Sequence, residues 1–249
     1  MSGIYATGTS GLIGSKLVDV RPLQIDLQKP VSFKTVAKEM SCVIHLAGVV
    51  SERRVQQEFT NAYRINVTGT IKFARHILNY SDSRFVFVSS SHVYKPSGEM
   101  HSELDTIAPV NLYGLLKWEA EVALQDIFKF APERLCIARV FSVLDIGMPY
   151  GSLGWAIENV KSSSPLRNGS DIRDFLTPRS IATHLRTIAQ QEFIFPIVNV
   201  CSGRSMTIIE ACMKLRNSLG LETPQEFIDA GNSAVPCIAG DNSRLLWLQ

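Results

Sequence analysis

Two tracts of this sequence carry residue types that can do chemistry. The first contains Tyr113-Gly114-Leu115-Leu116-Lys117, a Tyr-x-x-x-Lys spacing. On a helix these side chains share one face, one turn apart. An ammonium held there favours the phenolate and lowers the tyrosine pKa toward neutrality. Tyr113 then becomes a general acid/base for interconverting a hydroxyl and a carbonyl. Upstream, Phe85-Val86-Phe87-Val88 runs into Ser89-Ser90-Ser91-His92-Val93-Tyr94, so a strand ends in hydroxyls able to hold the oxygen that changes protonation. The second tract, Thr7-Gly8-Thr9-Ser10-Gly11-Leu12-Ile13-Gly14, has glycine at every third position. Such a turn lets the backbone approach a pyrophosphate and points helix N-terminal amides at it. A Tyr/Lys pair alone is more often a surface pair, and a glycine turn alone also marks ordinary loops. With all three in this order, chance is a poor explanation.

These side chains need a scaffold. Ile4–Thr7, Cys42–Ala47, Phe85–Ser89, Leu135–Val140 and Pro196–Val200 are brief apolar runs that read as strands of a parallel sheet covered on both faces. Amphipathic segments over Val55–Asn79 and Tyr113–Phe130 alternate with them. The pattern predicts an α/β fold, a Rossmann-type doubly wound parallel sheet with a small C-terminal substrate lobe. We expect residues 1–142 plus 174–200 in the cofactor domain and 143–173 plus 201–249 in the lobe. Ser162-Ser163-Ser164-Pro165 reads as a surface turn. The second βαβ step is short: only Ser15–Val20 separate the last glycine from Arg21-Pro22-Leu23-Gln24-Ile25-Asp26-Leu27. Either the first helix or the second strand must be abbreviated or missing. Asp19 and Arg21 are the charged candidates for the adenosine ribose, and solvated loop charges explain them equally well.

Composition bounds the function. The chain has 249 residues, 45% hydrophobic and 19% charged, which excludes disorder. Lys+Arg 25 against Asp+Glu 23 gives a net charge of +2, too balanced for an electrostatically driven nucleic-acid binder. No apolar run approaches the ~20 residues of a membrane span, and the N-terminus has no secretory pattern. Five cysteines without C-x-x-C spacing argue against a disulfide framework or a zinc site. A reduced, cytoplasmic protein without a bound metal is expected.

The motifs together resemble the extended short-chain dehydrogenase/reductase family, the NAD(P)-dependent epimerases, dehydratases and reductases of nucleotide sugars. The resemblance rests on Thr7–Gly14, Val43-Ile44-His45-Leu46-Ala47-Gly48, Asn66-Val67-Thr68-Gly69-Thr70, the serine strand end, Tyr-x-x-x-Lys, Arg139-Val140-Phe141-Ser142 and Arg173-Asp174-Phe175. It implies NAD or NADP as cofactor and a nucleotide-diphosphate sugar as substrate. Gly8, Gly11, Leu12 and Ile13 would contact the cofactor diphosphate, and Asp26 and Leu27 would lie along the adenine. Leu46, Ala47 and Gly48 would pass under the ribose and phosphates, with Asn66 nearby. Ser90, Tyr113 and Lys117 would be the catalytic set, Lys117 also bonding the nicotinamide ribose. Ser90, Ser91, His92, Ser142 and Arg173 would face the substrate, Arg173 gripping its diphosphate. A homodimer through the two long helices is a further implication.

Departures from the family pattern narrow the chemistry. Family dehydratases carry Asp-Glu after the catalytic hydroxyl; here Ser91 and His92 stand there, which argues against 4,6-dehydration. Ser142 replaces the usual asparagine. His92 reads equally as a substrate-facing base or as a loop histidine, whereas His45, in an apolar strand, reads as a core residue. Arg53 and Arg54 read as a solvated helix start, Trp118, Trp155 and Trp247 as packing residues, and Glu119 and Glu121 with Lys117 as an exposed helix face. The expected activity is epimerisation or reduction of a nucleotide-diphosphate sugar, with hydride transfer at sugar C4 and Tyr113 moving the proton. The alternative is a sensor of the same fold that binds the dinucleotide without turnover.

Overall fold

Five short apolar runs account for most of the central sheet. In the computed structural model, which describes residues 3–29, 33, 40–145, 169–220 and 237–249, six parallel strands stand in the order β2-β1-β3-β4-β6-β9. These are β1 (Gly3–Thr7), β2 (Arg21–Pro22), β3 (Met40–His45), β4 (Arg84–Ser90), β6 (Leu135–Val140) and β9 (Ile197–Val200). β4 and β6 are buried nearly throughout, as strands covered on both faces must be. A smaller sheet has the order β10-β8-β11-β5, built from β5 (Met100–His101), β8 (Ile172–Leu176), β10 (Ser205–Thr207) and β11 (Cys237–Gly240). β7 (Ser142–Val143) pairs with β8. Trp155, the Ser162–Pro165 turn and most of the 143–173 stretch lie outside the described residues.

Both faces of the large sheet are covered by helices whose apolar residues recur at helical spacing. On one face, α5 (Pro178–Gln190) buries Ile181, Leu185 and Ile188 against Ile44, Val86, Ala138 and Val198. Thr177 caps its first turn and Pro178 starts it. Each such aliphatic side chain contributes roughly 1.5–3 kcal/mol on burial. Leu245 and Leu248, from and just beyond α6 (Ser243–Trp247), join the same core. On the other face, α4 (Leu112–Ile127) buries Leu116, Ala120 and Leu124. The stretch 52–80 packs beside it as α1 (Glu52–Gln57), α2 (Phe59–Tyr63), a π-wound turn Arg64–Gly69 and α3 (Thr70–Tyr80). The amphipathic segment expected over Val55–Asn79 is thus interrupted at Glu58 and widened to a π-wound stretch over Arg64–Gly69.

Where the sequence is short, both halves of the second step are reduced. A single 3-10 turn, Gly14–Lys16, stands in place of a first helix, and β2 is two residues long. Residues 8–20 are about the minimum for a parallel crossover. Asp19 (φ 57°) supplies the reversal into β2, a left-handed conformation that aspartate tolerates. Ile13, Leu17 and Val20 pack onto the sheet there. The strand order reverses between β1 and β3, and a crevice at the carboxyl ends of these strands is where an α/β sheet binds ligands.

Candidate active site

The glycine turn builds one wall of that crevice. Gly8 has φ +69°, and a Cβ there would stand 2.8 Å from the Ala47 amide nitrogen. A Cβ on Gly14 would run into the Gly8 carbonyl oxygen. The turn is closed by Gly11 N–H donating to Gly8 O at 3.0 Å. Leu12 and Ile13 are half-buried, Ile13 packing onto the sheet. Opposite, Thr7 Oγ1 accepts from the Ala47 amide at 3.1 Å, fixing the Leu46-Ala47-Gly48 exit of β3 against β1. His45 lies between Thr7 (2.8 Å) and Thr70 (3.1 Å). Burial, helped by the Lys117 charge, pushes its pKa down to about 3, so it is the neutral core residue its strand implies.

Below the turn, a cavity of about 440 Å³ is lined by residues that include Asp26, Leu27, Ala47, Gly48, Ser51 and Arg54. Asn66 shapes its wall. The Asn66 amide is buried and makes a bidentate pair with Val49, accepting from its N–H at 2.7 Å and donating to its carbonyl at 2.8 Å. Asn66 therefore orders the loop after β3, through the Val49 backbone. Gly69, three residues on, meets Leu27: a Cβ there would approach Leu27 Cβ at 2.7 Å. Leu27 itself is buried in the core, while Asp26 is exposed and accepts from the Gln28 amide at 2.9 Å. Neither ribose candidate stands free at the strand tip. Asp19 faces Arg186 at 3.9 Å, and Arg21 donates to the Tyr5 hydroxyl at 3.1 Å. Beyond β2, Leu23 N–H bonds to Ala6 O and Gln24 is exposed.

The catalytic candidates converge at the end of β4. Asn111 caps α4 by accepting from the Gly114 amide at 2.8 Å, placing Tyr113 and Lys117 on one face. Gly114 is required there, since a Cβ would collide with the His92 carbonyl oxygen. The Ser90 hydroxyl stands close enough to Tyr113 to act on its pKa, and it accepts from the His92 amide at 3.2 Å. Lys117 is buried; its ammonium donates to Val88 O at 2.9 Å and lies 5.9 Å from the Tyr113 ring centre. The expected lowering of the Tyr113 pKa by Lys117 is not what this arrangement produces. Burial raises the Tyr113 hydroxyl to about 12, opposed by the Ser90 hydrogen bond. Lys117 is directed at a carbonyl and is itself pushed down to about 8 by burial, with Glu121 opposing.

Around this centre, Ser91 is buried and His92 half-buried, its ring edge-on to Tyr113 with centroids 5.5 Å apart. Arg173 on β8 is held by the Ile172 carbonyl (2.8 Å) and Asp171 (2.9 Å), and its charge reaches His92. Ser142 pairs with Phe175 on the smaller sheet and is half-buried.

The expected exposed face of Glu119, Glu121 and Lys117 requires correction. Glu121 and Lys117 are buried, because α4 turns this side onto β4 and β6. Glu121 accepts from Ser89 Oγ at 2.5 Å and from Arg139 Nη2 at 2.7 Å. Arg139 continues to the Tyr94 hydroxyl at 2.8 Å, which donates to Asn199 at 2.9 Å. Asn199 N–H reaches Glu103 at 2.8 Å. Sequence reasoning missed this network together with Asn111 and Gly114. The available signals were an arginine inside the apolar run Leu135–Val140, and an Asn-x-x-Gly at a helix start.

No group of three or more His, Cys, Asp or Glu able to hold a metal occurs among the described residues, and none of their helices is long and apolar enough to cross a membrane. A family model described as the NAD dependent epimerase/dehydratase family matches residues 18–201. A UDP-glucuronate 4-epimerase of Thermodesulfobacterium geofontis is 24% identical over 230 residues, covering 89% of this chain and 71% of the relative. Among solved structures, the UDP-glucose 4-epimerase of Thermus thermophilus in complex with NAD superposes with a TM-score of 0.82 at 17% identity. That alignment covers 98% of this chain and 92% of the other. The dTDP-4-dehydrorhamnose reductase of Bacillus anthracis in complex with NADP gives 0.83 at 17% identity, covering 99% and 92%. With the family model spanning most of the sequence and the same Rossmann-like fold in these neighbours, the chain belongs to the NAD dependent epimerase/dehydratase family.

Proposed function

We propose that the chain is an NAD(P)-dependent epimerase or ketoreductase of a nucleotide-diphosphate sugar, with hydride transfer at sugar C4. The observation that carries the reading is the convergence of Ser90, Tyr113 and Lys117 at the carboxyl end of β4, on the same edge of the parallel sheet as the glycine turn that follows β1. The residues present fit a dinucleotide. Gly8 and Gly14 keep the wall free of side chains, and the 440 Å³ cavity offers Asp26, Ala47 and Gly48 to an adenosine. When bound, the nicotinamide supplies the hydride donor or acceptor. Tyr113, protonated at neutral pH, donates its hydroxyl proton to the substrate oxygen in the reducing direction and takes it back in the oxidising one. Ser90 holds that oxygen and Tyr113 together. Lys117, anchored on Val88 O, keeps further N–H groups that would bond the nicotinamide ribose. Arg173, Ser142, Ser91 and His92 would face the sugar nucleotide.

The sensor reading is favoured by one observation: the second step is abbreviated, β2 being two residues long and followed by Leu23-Gln24, so that no acid stands directly at its tip. Turnover of UDP-glucose and UDP-glucuronic acid in the presence of NAD, and of a 4-keto sugar nucleotide with NADPH, tests the proposal. Product from either, lost in Tyr113→Phe with cofactor affinity kept, is expected. No product in any assay, or a Tyr113→Phe variant indistinguishable from the parent, would leave the sensor.

A further inference from the structure

We propose that His92 is a specificity-determining hydrogen-bond donor of this site: Asn111 fixes its imidazole in the Nε2–H form, which offers that N–H to an acceptor oxygen on the sugar substituent beside the reacting carbon. The second half rests on the reaction proposed above; the first does not. Asn111 Oδ1 accepts from the Gly114 amide at 2.8 Å, which settles the orientation of its amide group. Its Nδ2, a group that can only donate, is therefore the atom 2.8 Å from His92 Nδ1. His92 Nδ1 must offer a lone pair, and a neutral imidazole then carries its proton on Nε2. An imidazolium would set two donors face to face.

The ring is fixed relative to Tyr113. The 3-10 turn Ser91–Val93 packs so closely on α4 that only glycine fits at position 114. The two rings meet edge to face at 5.5 Å. Among the described residues Nε2 has no partner, and the ring is part-exposed. Burial disfavours a charge on His92, the Glu52 carboxylate favours one, and Arg173 opposes it; an Asn111 oxygen at Nδ1 would favour one too, but that oxygen is taken by the Gly114 amide. With Nε2 protonated and Nδ1 taken, His92 is not the base that its position, two residues after Ser90, suggests. It is a neutral donor beside a cation, suited to a carboxylate, carbonyl or hydroxyl oxygen.

Nitrogen-15 NMR of the full chain, with His92→Asn assigning the signal, reads the tautomer without turnover or cofactor. An unprotonated Nδ1 and a protonated Nε2 at neutral pH are expected; a protonated Nδ1 overturns the assignment. Asn111→Asp keeps the cap, because aspartate also accepts from the Gly114 amide, but it turns a carboxylate toward Nδ1. It should move the proton to Nδ1 and raise the His92 titration; an unchanged spectrum would refute the role of Asn111. In steady-state assays with UDP-glucuronic acid and UDP-glucose, His92→Asn removes the distal donor and should lower kcat/KM about three- to tenfold, the size of one neutral hydrogen bond. His92→Gln, whose amide nitrogen reaches near the Nε2 position, should restore most of it. Equal kcat/KM in all three proteins overturns the donor role. Absence of turnover in the parent overturns the reaction reading and the donor's role toward a sugar, and the spectrum still decides the tautomer.

Discussion

Glu121→Gln is the substitution in which fold and site are most tightly joined. The Glu121 carboxylate is fully buried between α4, β4 and β6, where it accepts from Ser89 and from the Nε and Nη2 of the Arg139 guanidinium. Burial works against the Arg139 charge, and the Glu121 hydrogen bonds and charge override it, keeping the pKa above its ordinary value. The amide is nearly isosteric but neutral, so it leaves Arg139 charged and uncompensated in the interior. Breaking a buried pair from one side costs about 3–5 kcal/mol, a large fraction of the 5–15 kcal/mol typical of a whole domain. For a chain of this size each kcal/mol lowers Tm by roughly 2–4 °C, giving a fall of about 6–20 °C. Calorimetry or urea unfolding reads this directly. The double variant Glu121→Leu/Arg139→Met removes both charges and should recover more than half of the loss, because replacing a buried pair by apolar groups is near neutral. A Glu121→Gln stability within about 1 kcal/mol of the parent, or a double variant no better than the single, would refute the electrostatic argument.

Further expectations follow from the same geometry. Tyr113→Phe should reduce turnover by about 10²–10⁴-fold and leave NADH affinity, read by fluorescence, unchanged. Lys117 is held at about 8, well below its ordinary value. Between pH 8 and about 10.5 the unfolded chain binds a proton there that the folded chain does not, so stability should rise with pH across this window. The rise should vanish in Lys117→Met; a slope unchanged by the substitution would contradict the assignment. Removing the Asn66 amide leaves the Val49 N–H and carbonyl unpaired in a buried loop. Asn66→Ala should cost about 2–5 kcal/mol in urea unfolding and weaken cofactor binding. Gly114→Ala, which sets a methyl against the His92 carbonyl, should displace α4 and reduce kcat more than global stability, as paired kinetic and unfolding measurements would reveal.

How far the sequence could be read depended on whether the information was local. Five of the six strands of the large sheet declared themselves as apolar runs, β2 being the exception, and the glycine turn fell where its spacing indicated, because sterics at Gly8 and Gly14 act within a few residues. The abbreviated step after Gly14 was visible as a count of residues; that helix and strand are both reduced follows from packing of Ile13, Leu17 and Val20. Glu121 was misread because Glu119, Glu121 and Lys117 form a polar run on one helix, and helical periodicity alone does not reveal an arginine facing it from β6. The direction of the Tyr113 pKa was misread for a related reason: one-turn spacing brings Lys117 near Tyr113, yet its ammonium is drawn to Val88 O on a different element. Asn111 and His92 were separated by the same gap between sequence spacing and contact across elements.

The central claim is that a crevice with so short a second step still holds a dinucleotide, and a binding titration tests it most directly. The purified chain, first examined by absorbance for cofactor already bound, would be titrated with NADH and with NADPH. Saturable binding of at least one, weakened by a side chain at Gly8, is the predicted result. No binding of either would contradict the cofactor assignment and the enzyme built upon it.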